Sequence, residues 1–235
     1  MDFKLVILAV APAITLVLFI YFFDKHDKEP ISLLLKVFLF GALAVVPIVY
    51  VEDLLMTFNI FPGLASAFYV SFIVAGFTEE FFKRLVVMKI AFKNQHYSEK
   101  LDGIVYSVMA SLGFATVENI MYVAISFKDD IYVGITRAFL SVPAHMLFGI
   151  SMGYYLSRSK YASSTYDANK YYKKSLIVPM ILHGTFNFIL LSNHPLLIIV
   201  FIPYLIYLWS VSIKRLRLYQ LESKNESEYE NMIDN

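Results

Sequence analysis

The 235-residue chain contains no cysteine. Disulfides, iron–sulfur clusters and thiolate metal sites are therefore excluded, and His and carboxylate side chains remain as the available metal ligands. Charge is scarce as well: 17% of residues are Asp, Glu, Lys or Arg, against roughly 25% in an average soluble domain. Acids and bases nearly cancel, leaving +1, so the placement of charge carries information and its sum does not. What is present in excess is apolar: 58% of residues are hydrophobic and mean hydropathy is +0.62. A single water-soluble core of this size cannot hide that much apolar surface. Disorder, coiled coil, collagen and nucleic-acid binding are excluded by the same figures. The composition implies an all-α, polytopic bundle with the lipid bilayer as its solvent.

A bilayer core needs about 20 apolar residues in a helix. Seven stretches meet or approach this: Phe3–Phe23, Ile31–Val51, Leu64–Phe92, Gly103–Phe127, Ile131–Leu156, Ser175–Ser192 and Leu196–Ile213. The segment Glu52–Gly63, interrupted by Asn59 and Pro62, reads as an interfacial or re-entrant connection. The first stretch ends in Tyr21-Phe22-Phe23 without a small-x-small cleavage site, so it reads as a retained anchor. Residues 1–213 thus form the integral membrane domain. Residues 214–235 form a polar cytoplasmic tail, read as disordered over Glu222–Asn235.

Basic residues set the expected orientation. With Lys83 and Arg84 counted to the connection after the third span, sixteen of the twenty Lys and Arg fall on one set of alternate connections and in the tail; the other side receives Lys4 and Lys128. This places the N-terminus outside and the C-terminus in the cytoplasm. The tyrosines between Tyr154 and Tyr172 read as an interfacial aromatic belt. No 20–50-residue repeat and no matching pair of broken helices is visible, which argues against an inverted-repeat transporter.

Ionisable groups inside the spans are costly and mark functional candidates. Measured from the nearest charged end at ~1.5 Å per residue, Glu80, Glu118, His145 and His183 lie about 14 to 24 Å deep in four different spans. They can converge. Glu79/Lys83 and Glu80/Arg84 both have the spacing of helical ion pairs. Gly103, Ser107, Ser111, Ala115 and Asn119 form a small or polar strip beside Glu118, and His145 shares a face with Gly149 and Gly153. Such strips let membrane helices approach closely. Arg137 has two uses open to it, snorkelling to the outer surface or pairing with Glu118. Taken singly, each charged group has a structural explanation: an ion-pair cluster at a helix end, or a hydrogen-bonded packing histidine. A shared depth is not required by those explanations. His26, His96 and His194 lie in connections and receive no role.

The motifs Glu79-Glu80-x-x-Lys83-Arg84, Phe114-x-x-x-Glu118-Asn119, His145-x-x-x-Gly149 and His183-Gly-x-Phe-Asn187 resemble those of the PrsW family of intramembrane proteases. The wider group, with the CAAX prenyl endopeptidases and bacteriocin-immunity-type proteases, carries EExxxR, FxxxH and HxxxN/D. Glu118 stands where that group has His, which points to the PrsW branch. The resemblance implies a bacterial cell-membrane endopeptidase. It would make the first, site-1 extracytoplasmic cut in a single-span, membrane-anchored anti-sigma factor, leading to sigma-factor activation.

Peptide hydrolysis requires an activated water, a general acid/base and oxyanion stabilisation. Glu79 or Glu80 would activate water with help from His145, while His183 and Asn187 would donate to the oxyanion. Lys83 and Arg84 would tune the two acids, with Asn119 in support. Alternatively His145, His183 and Glu118 would form a three-ligand Zn2+ site. Neither HExxH nor GxSxG occurs, so any metal site must be assembled from several spans. Two rivals use the same residues differently: a proton- or ion-coupled transporter with a Glu/His relay, and a non-catalytic membrane sensor or immunity protein.

Overall fold

The computed structural model describes residues 3–126 and 131–233. Its elements are helical: α1 (Phe3–Phe23), α2 (Ile31–Leu43), α3 (Val45–Met56), α4 (Gly63–Tyr69), α5 (Thr78–Ile90), α6 (Lys100–Ile120), α7 (Ile131–Thr136), α8 (Val142–Lys160), α9 (Thr165–Leu191) and α10 (Pro195–Ile233). Three π-helical segments, Val70–Phe77, Met121–Ser126 and Arg137–Ser141, join α4 to α5, follow α6 and join α7 to α8. Together these give, among the described residues, seven spans long and apolar enough to cross a membrane. Lys128, the expected fourth-span end at Phe127 and the last two residues of the tail lie outside the described residues.

The second span differs from its expected boundary. Pro47 has no N–H for the carbonyl four residues back, and the helix breaks at Ala44 between α2 and α3. It then resumes through Glu52 and Asp53 to Met56, so both acids belong to the span. The tail also differs from the expected disorder. Helix α10 runs on through Ile233, held by Leu216, Tyr219 and Ser223, which are buried, and by Lys100 Nζ on Glu222 at 2.8 Å. Packing against the bundle supplies the stability that the polar composition alone does not.

Helix α6 occupies the centre and is the most enclosed of the spans; it packs on α8, α2 and α1. The small residues on it and on α8 explain how. A Cβ at Gly153 would lie 2.1 Å from the Gly103 carbonyl oxygen, and one at Gly103 would lie 2.1 Å from Ser157 Oγ. These helices touch backbone to backbone, which only glycine permits at such contacts. The outer helices turn large side chains such as Leu39, Tyr50, Ile199 and Ile206 outward, as a lipid-facing surface requires.

Candidate active site

The π-helical turns surround one region. The segment Val70–Phe77 feeds directly into Thr78-Glu79-Glu80, Met121–Ser126 comes soon after Glu118, and Arg137–Ser141 leads into the turn that carries His145. A wider turn changes the angular register of the residues beyond it, and such bulges recur at functional sites. Before α8 the cause is visible in the sequence: Pro143 withholds an N–H at the helix start.

On α5, Lys83 Nζ donates to Glu79 Oε2 at 2.9 Å and to Glu80 Oε1 at 2.8 Å. It also lies 3.1 Å from His145 Nδ1 and 4.2 Å from the centre of the Phe114 ring. One fully buried ammonium therefore holds both acids. The expected Glu80/Arg84 pair does not form. Arg84 Nε instead donates to Ser175 Oγ at 2.8 Å, and its guanidinium lies over the Tyr172 ring at 4.0 Å. The reason is reach: Glu80 points into the bundle towards His183, whereas Arg84, one turn on, anchors α5 to α9.

From α6, Glu118 Oε2 accepts from Arg137 Nη2 at 2.8 Å and from His145 Nε2 at 3.0 Å. Arg137 thus pairs with Glu118, one of the two uses open to it. Asn119 fixes the arginine, accepting from Arg137 Nε at 2.9 Å while its amide donates to the Ala9 carbonyl of α1. Lys83 can only donate, so His145 Nδ1 is the acceptor and Nε2 carries the proton that bonds Glu118. From α9, His183 Nδ1 donates to Glu80 Oε1 at 3.0 Å, and Asn187 Nδ2 donates to His183 Nε2 at 3.1 Å. The His183 ring stacks on Phe148 with centroids 4.9 Å apart. Each imidazole is held through both nitrogens, which fixes its tautomer and its angle.

The donor atoms of Glu79, Glu80, His145 and His183 all lie within 4.8 Å of one another, and all four residues are buried. Glu118 is outside this group, one hydrogen bond behind His145, so the expected ligand set of His145, His183 and Glu118 is not the one brought together. Two imidazoles and two carboxylates form a nitrogen–oxygen donor set that suits zinc and related divalent ions. Among the described residues Glu80 Oε2 is a buried acceptor with no hydrogen-bond partner, and three of the four, Glu79, Glu80 and His145, already gather round one cation, the Lys83 ammonium. The residues present fit a metal ion.

A cavity of about 590 Å³ reaches this group. Glu79, Glu118, Arg137, His145, His183 and Asn187 line it, whereas Glu80 and Lys83 lie behind its wall. Glu52 and Asp53 on α3 line it too. Sequence reasoning assigned them to a connection, although Val45, Ile48, Glu52 and Met56, all lining residues, have helical spacing and could have shown the face.

Residues 29–211 match the family described as PrsW family intramembrane metalloprotease. The chain belongs to the PrsW family. It is 41% identical to the Protease PrsW of Clostridioides difficile over 95% of its own length and 94% of that protein's. Against the Protease PrsW of Bacillus subtilis it is 35% identical over 91% and 94%, and against that of Oceanobacillus iheyensis 36% over 93% and 94%. No solved structure matches it. As a PrsW member the chain is a multi-pass membrane endopeptidase of metalloprotease type.

Proposed function

We propose that this PrsW protein makes the first, site-1 cut in a single-span, membrane-anchored anti-sigma factor. The cut falls on the extracytoplasmic side, and it starts the release of a sigma factor. In this reading the N-terminus lies outside the bacterial cell membrane and the C-terminus in the cytoplasm. The observation that carries it is the place of the cavity. Its wall includes Met56, Tyr122 and Leu191, at the ends of the second, fourth and sixth spans remote from the basic connections. Lys93, Lys100, Arg158 and Lys174 belong to the opposite end. The positive-inside rule makes that end cytoplasmic, so the cavity opens outward.

The chemistry divides among the residues by access. His145, His183 and Glu80 would hold the metal, with Zn2+ as the candidate. A metal so bound supplies Lewis-acid polarisation of the scissile carbonyl. Glu79, which faces the cavity, takes a proton from water as the water oxygen bonds to the carbonyl carbon. The C–N bond then breaks, and that proton passes to the departing amine. Asn187, one turn from His183 and lining the cavity, has an amide N–H to give the oxyanion. Glu118, backed by Arg137, orients His145, and Lys83 holds Glu79 in place.

The test is cleavage of candidate single-span anti-sigma factors by the purified protein. Glu80→Gln and His183→Ala are each expected to abolish it at unchanged membrane levels; normal cutting by both variants would refute the assignment. Ion flux in liposomes, lost in the same variants, would favour a relay instead. Elemental analysis of active and chelator-treated protein tests the metal, and full activity at substoichiometric metal would remove it.

A further inference from the structure

The charges that line the cavity do not balance. Arg137 is committed to Glu118 and Asn119, and Glu79 is answered by Lys83 behind the wall. Glu52, half-buried, and Asp53, exposed, are adjacent on α3 and line the same cavity. Among the described residues no Lys, Arg or His lies within ion-pair distance of either, and no hydrogen bond to either is seen. Two carboxyl groups thus line, without a hydrogen-bond or ion-pair partner among the described residues, the cavity in which the proteolytic reading seats a substrate segment.

Like charges facing one another across a partly desolvated contact are strongly disfavoured, and opposite charges select partners and register. We propose that Glu52, with Asp53 beside it, is a specificity determinant that receives a Lys or Arg side chain of the substrate near the scissile bond. This rests on the proteolytic reading of the cavity given above. Among the described residues neither acid makes a hydrogen bond or ion pair with Glu79, Glu80, His145 or His183. Their effect therefore falls on which segment is bound and in what register, and is read in KM before kcat.

The test is a set of single-span reporters, identical except that each juxtamembrane position carries Lys, Gln or Glu in turn, with products identified by mass spectrometry. The wild-type protein is expected to cut the best-placed Lys reporter with kcat/KM at least about tenfold above its Glu counterpart, mainly through KM. Glu52→Lys is expected to reverse that order at the same position. Should that variant be lost from the membrane, Glu52→Gln and Asp53→Asn serve instead and are expected to bring the Lys-to-Glu ratio towards one. Equal cutting of Lys and Glu reporters by the wild type, or a Lys preference that survives all three substitutions, would overturn the inference. Failure to cut any reporter would instead strike the proteolytic reading beneath it.

Discussion

Two regions of this molecule gather carboxylates, and they treat them differently. In the mid-membrane site the three acids at its centre each have a cationic or imidazole partner: Lys83 for Glu79 and Glu80, Arg137 for Glu118, and the two histidines beside them. At the other end, where the first connection meets the start of α6 and the far part of α10, Asp24, Glu29, Glu99 and Asp102 are all buried. No ion pair reaches any of the four among the described residues. Their partners are neutral: Tyr106 donates to Glu29, and the Ser98 and Glu99 amides donate to Asp102 at 2.7 Å. Among the described residues Asp24 Oδ1, Glu99 Oε1 and Asp102 Oδ1 have no hydrogen-bond partner. Burial raises Asp24 to about 6, Glu29 to about 7 and Glu99 to about 7. At the centre of the first region cations keep the acids charged; in the second, protons take the place of the cations and the cluster becomes a pH-dependent tie between elements.

The widest separation of the two regions comes from removing one carboxylate in each. Glu79→Gln removes the cavity-facing carboxylate proposed as the base and is expected to lower cleavage by about 10²–10⁴-fold with little change in melting temperature. Glu29→Gln is expected to leave kcat within a small factor and to change the melting temperature instead. Cleavage assays and thermal melts in detergent on both variants decide this. A Glu79→Gln protein that cuts normally would end the division. Next in size is the cation itself. Lys83→Met strands two buried acids in one step and is expected to destabilise the fold by ~3–5 kcal/mol. Arg84→Met forfeits hydrogen bonds to Ser175 and Tyr172 and is expected to lose ~1–3 kcal/mol. Equal losses in the two variants would mean that Lys83 is not the charge partner the geometry makes it.

The spans of this fold were legible because bilayer thickness converts directly into apolar length. The intramembrane site was legible because Glu80, Glu118, His145 and His183 share a depth in four spans. What escaped was orientation about each helix axis. Spacing alone made Arg84 the partner of Glu80, whereas Lys83, at i,i+3 from one acid and i,i+4 from the other, reaches both. Spacing also allowed Glu118 to ligate a metal directly, and Arg137 draws it one bond behind His145. Glu52 was missed because Asn59 and Pro62 suggested an early end to the span, when the break falls instead at Ala44, before Pro47. Those details depend on π-helical turns and prolines that shift register by fractions of a turn.

The support behind His145 gives a smaller, graded effect. Arg137→Met frees Glu118 and loosens Asn119, and is expected to lower cleavage by ~10–100-fold, as loss of an outer partner does at metal and catalytic sites. Arg137→Lys is expected to restore part of it; no loss in the Met variant would place Glu118 and Arg137 outside the machinery.

The smallest effect is the pH response of the unpaired acids, and its sign is set by their raised values. Glu29 and Glu99 hold their protons in the folded state up to about 7, while in the unfolded chain they release them near 4.5. The folded state thus binds more protons across that window, so stability falls as pH rises through it, and the full penalty is present above pH 7. Asp24 behaves likewise between 3.8 and about 6. Acidification from pH 8 to pH 5 is expected to stabilise the end of the bundle that holds this cluster by an amount on the order of 1 kcal/mol per acid, reduced because neighbouring acids share protons. Hydrogen exchange of the amides at the start of α6, followed against pH, reads this locally. In Glu29→Gln/Glu99→Gln the response should flatten, because an amide needs no proton to be neutral. A slope unchanged by the double substitution would mean that the cluster does not titrate in this range, and the contrast between paired and unpaired acids would fail at its weaker end.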